Sequence, residues 1–266
     1  MAADIRRDGA RSQGLWDALL GDMTEDVVAA AVSATGHPVL DVVVVGGGPG
    51  GLAVPLATLG HNVTVVDPSP DALAAAQRRA AEVAAPLSVV QGEAASVADL
   101  IGLAAADLVI CHNVLEYVES PADAMAGIAR VLRPAGVVSV LASNAVAAVL
   151  HHALAGRFAE ARRLLPDDEA EPPAGGARRA AGGTGRAAGH EVPRRFTLPE
   201  LTTLVEVAGL RPGRAQGLRI FGGLVPGALA DGDAAAASGL LTLERAAAAC
   251  PPLRDIAAQL HLLGHR

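Results

Sequence analysis

Short apolar runs alternate with helix-spaced segments along the first half of the chain. Val42 to Val45 and Val63 to Val66 are β-branched and apolar on both faces, as buried parallel strands require. Pro86 to Val90, Asp107 to Cys111 and Val137 to Leu141 predict three further strands. Helices are expected between them at Pro70–Val83, capped by Ser69, at Val97–Leu103, capped by Ser96, and at Pro121–Leu132. Upstream, Leu15–Val32 predicts a helix with Leu15, Leu19, Leu20, Val27 and Val28 as buried positions, while residues 1–10 read as a frayed end. Such alternation predicts an α/β fold, a mostly parallel sheet with helices on both faces and right-handed crossovers.

The pattern changes beyond Asn144. Ala145–Leu165 is helical with a break near Gly156, and Pro166–Pro193 is acidic and then glycine-rich, a composition that buries little and reads as a mobile loop. Pro199–Ala208 is a helix ended by Gly209, Leu218–Phe221 a strand, 234–248 a helix and Leu260–Leu263 a closing strand. The sheet is therefore expected to have seven strands. Four segments are expected: an N-terminal helical segment at 1–36, an α/β core at 37–144, a helical and loop lid at 145–197 and a sheet-completing part at 198–266.

The first strand runs into Gly46-Gly47-Gly48-Pro49-Gly50-Gly51, a turn whose backbone can approach a ligand that a Cβ would hold away. The second ends in Asp67, 21 residues after Gly46, where an acid commonly accepts hydrogen bonds from ribose hydroxyls. This unit predicts an adenosine-bearing cofactor. Gly46-x-Gly48-x-x-Gly51 also fits the FAD and NAD fingerprint, so a flavin- or nicotinamide-dependent oxidoreductase stays open at this point.

Composition narrows the class. Of 266 residues, 51% are hydrophobic but only three are Phe, one Tyr and one Trp, so Ala, Val and Leu must fill the core. All 21 basic residues are Arg, and the net charge of −7 argues against nonspecific nucleic-acid binding. Cys111 and Cys250 have no metal-ligand spacing. With no long apolar span and no signal-peptide layout, the expectation is a soluble cytoplasmic protein that holds no metal.

Ala106-Asp-Leu-Val-Ile-Cys-His-Asn-Val-Leu-Glu-Tyr-Val118, followed by Leu132-Arg-Pro-Ala-Gly-Val-Val138, resembles the fourth strand, next helix and "LRPGG" turn of class I S-adenosylmethionine-dependent methyltransferases, which have a Rossmann-like fold. The flavin alternative lacks the second glycine-and-acid motif usual near the C-terminus of such enzymes. With the flanks added (His151 to Leu165, Gly217 to Phe221 and Leu240 to Leu263), the chain is similar to the tRNA 5-carboxymethoxyuridine methyltransferases, which esterify the carboxylate of a wobble-uridine modification.

That resemblance implies S-adenosylmethionine contacts at Arg11, Gly46, Gly47, Gly48, Asp67, Pro68, Glu93, Ala94, Ala95 and His112. Arg11, five residues before Trp16, would pair with the cofactor's carboxylate, and Asp67 with its ribose. Trp16 and Tyr117 read as packing residues. Methyl transfer is an in-line displacement, to which a protein contributes positioning and exclusion of water. A carboxylate acceptor on tRNA or a small acid needs a cation rather than a base, and Arg219, Arg194 and Arg195 are the forks available. An oxygen or nitrogen acceptor on a small molecule would need a base, for which His112 is the candidate. Val44 stands where the family has an acid that helps to hold the methionine amino group, which keeps a non-catalytic binding module among the alternatives. Ser143 and Gly222 replace bulkier polar residues on the family's substrate side.

Overall fold

The computed structural model describes residues 2–165, 193–225 and 234–266. Helix α1, Ala2–Thr35, buries Leu19, Met23, Val27 and Ala31 at intervals of four, a single apolar stripe. It starts well before Leu15, so residues from Ala2 onward are helical rather than frayed; Ala2, Ala3, Ala10 and the arginines among them are strong helix formers. The order continues β1 Asp41–Val45, α2 Ala53–Thr58, β2 Asn62–Asp67, α3 Pro70–Glu82, β3 Leu87–Gln91, α4 Val97–Ile101, β4 Ala106–His112, α5 Pro121–Val131 and β5 Leu132–Ser143. Then come α6 Ala145–Leu154, α7 Phe158–Arg163, α8 Leu198–Val207, β6 Arg211–Leu218, α9 Ala234–Ala247, α10 Pro251–Arg254 and β7 Gln259–His265.

The sheet has seven strands in the order β3-β2-β1-β4-β5-β7-β6. β1 to β5 pair in parallel, and β7 is antiparallel. Its direction is visible in the ladder: the Arg266 N–H donates to Gly136 O at 3.0 Å near the start of β5, and the Asn144 N–H to Ala258 O at 3.1 Å past its end. β1 and β4 are apolar on both faces and buried, including fully enclosed Leu108 and Ile110. A side chain of that size contributes about 1.5–3 kcal/mol when removed from water.

Three local expectations are corrected. The sixth strand is Arg211–Leu218, and Leu218–Phe221 is mostly the bend that follows it. β6 is an edge strand, where Pro212, Gly213 and Gly217 are tolerated and no alternation is demanded. Leu132–Gly136 is the start of β5 rather than a free turn; Ala106 pairs with Leu132 and Leu108 with Val137, so the intervening residues form a bulge. Ser96 makes no capping bond; it ends a short 3-10 turn, Ala94–Ser96, and its φ −93, ψ 0 is not the extended backbone typical of an N-cap. Ser69 and Ser120 do cap α3 and α5, accepting from the Ala72 and Asp123 N–H. The loop expected over Pro166–Pro193 lies, except for Pro193, outside the described residues.

By contacts, the chain divides into two compact units. A core unit comprises Thr24–Ala142, Leu201–Arg214 and Leu262–Arg266, and an accessory unit Met1–Met23, Ser143–Glu200 and Ala215–His261.

Candidate functional site

In the core unit, one register level carries the candidate cofactor residues. Val45 pairs with Val66 on one side and Cys111 on the other. The next residues on these three strands are Gly46, Asp67 and His112, side by side at the C-terminal ends where open α/β sheets bind ligands. Gly46 has φ +64, and a Cβ there would collide with Val114. Gly48 has φ +50 with open space where its Cβ would be, leaving bare backbone beside Asp67.

Asp67 is 7% exposed and both of its oxygens are held. Oδ2 accepts the Gly48 N–H at 2.9 Å and Oδ1 the Ser69 N–H at 2.9 Å. Each oxygen retains a further lone pair, so the clasp aims the carboxylate without exhausting it. The same contact ties the glycine turn to the start of α3. A bare-backbone cradle next to a fixed, buried acid fits the ribose end of an adenosine cofactor.

The other sequence-predicted residues surround this level unequally. Pro68 is exposed, and its carbonyl accepts from Gln91 Nε2 at 3.2 Å. Glu93 is exposed and precedes the 3-10 turn, in which Ala94 is buried and Ala95 exposed. A Cβ on Gly127 of α5 would meet the Ala95 and Ala94 carbonyl oxygens at 2.8 and 3.0 Å, so α5 packs directly on this turn. His112 Nε2 lies 2.7 Å from Ser139 Oγ on the neighbouring strand. Arg11 lies within α1, and its side chain is outside what the structure describes. Val44 is 3% exposed, in register with Val65 and Ile110. Cys111 is fully buried; burial, with the Glu116 charge adding to it, pushes its thiol up to about 12, so it is inert packing. Tyr117 is 73% exposed and is therefore not a packing residue here.

The accessory unit holds an open cavity of about 240 Å³, lined among others by Asn144, His151, His152, Arg195 and Arg219. Arg195 and Arg219 thus share one cavity, whereas Arg194 does not line it. The Arg219 guanidinium lies 5.2 Å from the Trp16 ring centroid, a cation–π contact. Trp16 is therefore a platform for an arginine. Among the described residues, neither Arg195 nor Arg219 is paired with a carboxylate.

Two residues that organise this unit escaped sequence reasoning. Asn144 caps α6 through the Val146 N–H, and its Nδ2 donates to Asp255 O at 2.9 Å and Ala257 O at 2.7 Å. Glu244 is 1% exposed and accepts from the Ile220, Phe221 and Gly222 N–H. Its signal was present: with Leu240 and Ala247 it forms a buried stripe of α9, an acid on an apolar face.

Residues 43–140 match the methyltransferase domain family, and the sheet order is that of the class I S-adenosylmethionine-dependent methyltransferase fold, whose cofactor is S-adenosylmethionine. A tRNA 5-carboxymethoxyuridine methyltransferase from Escherichia coli (strain K12) is 32% identical over 129 residues, which make up 48% of this chain and 49% of that protein. The chain thus spans about half the length of the curated relatives it matches. In fold it is similar to an S-adenosylmethionine-dependent methyltransferase from Mesorhizobium loti, with TM-score 0.54, 16% identity and coverage of 85% of this chain and 91% of that one. It is similar too to the magnesium protoporphyrin IX methyltransferase of Synechocystis PCC 6803 with bound S-adenosylhomocysteine, at TM-score 0.54, 18% identity and coverage of 92% and 82%. No helix among the described residues is long and apolar enough to cross a membrane.

Proposed function

We propose that this chain transfers a methyl group from S-adenosylmethionine to a carboxylate, on a modified tRNA uridine or a small acid, forming a methyl ester. The observation that carries the cofactor half is the alignment of Gly46, Asp67 and His112 at one strand level, with Asp67 clasped by the Gly48 N–H. Asp67 would hold the ribose hydroxyls, Gly46 to Gly48 would let the backbone approach, and Glu93, Ala94 and Ala95 would flank the adenine end. The bound cofactor supplies the electrophilic methyl group. The protein's own task is to orient the acceptor and exclude water.

The acceptor half is supported by Arg195 and Arg219 in one cavity and by the tRNA carboxyl-methylating relative named above. A carboxylate is ionised at neutral pH and needs a guanidinium fork, not a base. A second reading, an oxygen or nitrogen acceptor on a small molecule, rests on His112, whose bond to the buried Ser139 hydroxyl fixes the imidazole as a general base would need.

Calorimetry with S-adenosylmethionine, S-adenosylhomocysteine, FAD and NAD in parallel tests the cofactor. Binding of the first two only is expected; tight FAD binding revives the oxidoreductase, and no binding at all leaves a non-catalytic module. Turnover of carboxymethoxyuridine-containing tRNA or of small acids tests the acceptor. Failure on every acid, with turnover of a phenol or amine, makes His112 the base.

A further inference from the structure

We propose that Glu244 is the positioning residue for the Arg219 guanidinium, holding it at the accessory-unit cavity through the backbone of the turn after β6. The inference deepens the acceptor reading above and rests on it only for the ligand, not for the contact itself.

Arg219 adopts φ +58, a left-handed conformation that a non-glycine residue keeps only when its surroundings impose it. The surroundings are visible on both sides. Ahead of the bend, the Arg219 carbonyl accepts the Ala258 N–H at 3.1 Å. Behind it, three consecutive amides converge on one carboxylate. Ile220 N–H donates to Glu244 Oε2 at 2.8 Å, while Phe221 and Gly222 N–H donate to Oε1 at 2.9 and 2.7 Å. Glu244 is 1% exposed, so these amides are its compensation for lost water.

No feature of the local sequence Gly217-Leu-Arg-Ile-Phe221 demands this bend; a carboxylate 24 residues downstream does. Ile220 is buried with Ala247 and Ala257, which anchors the turn against α9. The exposed side chain between these anchors is Arg219, lying over Trp16 and lining the cavity. A carboxylate suits the role because two oxygens can serve three donors. A neutral amide in its place turns one acceptor into a donor and sets N–H against N–H.

Trp16 is the chain's single tryptophan, so its emission reports the contact directly. Arg219→Ala is expected to shift that emission, Glu244→Gln to shift it in the same direction, and the double variant to add nothing further. Thermal melting monitors the fold, and S-adenosylhomocysteine affinity should stay within twofold of wild type. Succinate, titrated as the acceptor probe, should bind at least tenfold more weakly to Glu244→Gln. Should that variant fail to fold, Glu244→Asp keeps the charge but withdraws it by one methylene, and intermediate emission and succinate affinity are expected. Emission that responds to Arg219→Ala but not to the folded Glu244 variants overturns the proposal, as does emission indifferent to Arg219→Ala. If Glu244→Gln moves the emission while wild type shows no succinate binding, positioning holds and the carboxylate reading of the cavity falls.

Discussion

Asp67 is held by two backbone amides and stands one residue beyond a shared strand register, so removing its carboxylate should be felt twice. Asp67→Ala is expected to lose roughly 1–3 kcal/mol of S-adenosylhomocysteine affinity in calorimetry, the cost of an unpaired buried polar group. The Gly48 and Ser69 amides lose their partner too, so the melting temperature without ligand should fall as well. Unchanged affinity with lower stability would reduce Asp67 to a turn and cap residue. Val44 makes a complementary case. It is 3% exposed between Val65 and Ile110, so Val44→Asp buries a carboxylate with no partner in the free chain. We expect a destabilisation of about 1–3 kcal/mol, part of it recovered when S-adenosylhomocysteine is added, as melting with and without ligand will report. No recovery, with good binding by wild type, would mean that another group has taken over the contact proposed for the methionine amino group. These residues were legible in the sequence because turn, strand end and spacing are local. The distant partners of Glu244 and Asn144 were not, since they lie 22–24 and up to 113 residues away.

At the level of elements, the first five strands and their helices followed directly from apolar periodicity, because buried parallel strands must be apolar on both faces. β6 did not, since an edge strand reading Arg-Pro-Gly-Arg-Ala-Gln-Gly-Leu has no such constraint. The start of β5 was hidden for a different reason: beyond Leu132, which pairs with Ala106, its bulge residues Ala135 and Gly136 pair with Arg266, from the chain's far end. That bulge has a definite task. It puts Arg133 Nη1 2.7 Å from Asp41 and 3.0 Å from Asp107, with His37 Nδ1 3.0 Å from Asp107 on the other side. Burial by itself would raise the Asp107 carboxyl, but the Asp41 N–H, Arg133 and His37 outweigh it and hold it below the ordinary 3.8. A carboxylate with a depressed folded-state value stabilises the protein above its unfolded value, and that stability is lost as pH falls through the folded one. Asp107→Asn should therefore cost about 1–3 kcal/mol at pH 7 and should flatten the acid limb of the stability curve below pH 3.8. Denaturant titrations from pH 7 downward check both; parallel curves for the two proteins would place the acid transition elsewhere.

At the scale of the whole molecule, charge bears on the choice between the proposed acceptors. The chain carries 28 acids against 21 arginines and no lysine, a net of −7. Many arginines are already committed: Arg130, Arg133, Arg214, Arg245 and Arg254 each pair with an aspartate. Among the described residues of the accessory cavity, Arg195 and Arg219 are the two permanent cations. Two forks suffice to hold one carboxylate, but the net charge opposes a polyanion elsewhere on the surface. Neutralising about two phosphates gives a log–log salt slope near −2, roughly tenfold in affinity between 50 and 200 mM salt, whereas six to ten contacts give about 10³–10⁵. We expect the weaker response and a small acid or short modified-nucleoside acceptor. Initial rates across that salt range, with tRNA and with a panel of small acids, decide the matter; a steep loss on tRNA alone would make the polynucleotide the acceptor despite the charge. Arg219→Ala should abolish turnover of whichever acid is used. Arg219→Lys should recover only part of it, because an ammonium is one point donor where the guanidinium offers two parallel ones. Full activity with lysine would leave charge attraction intact but rule out a two-pronged clamp.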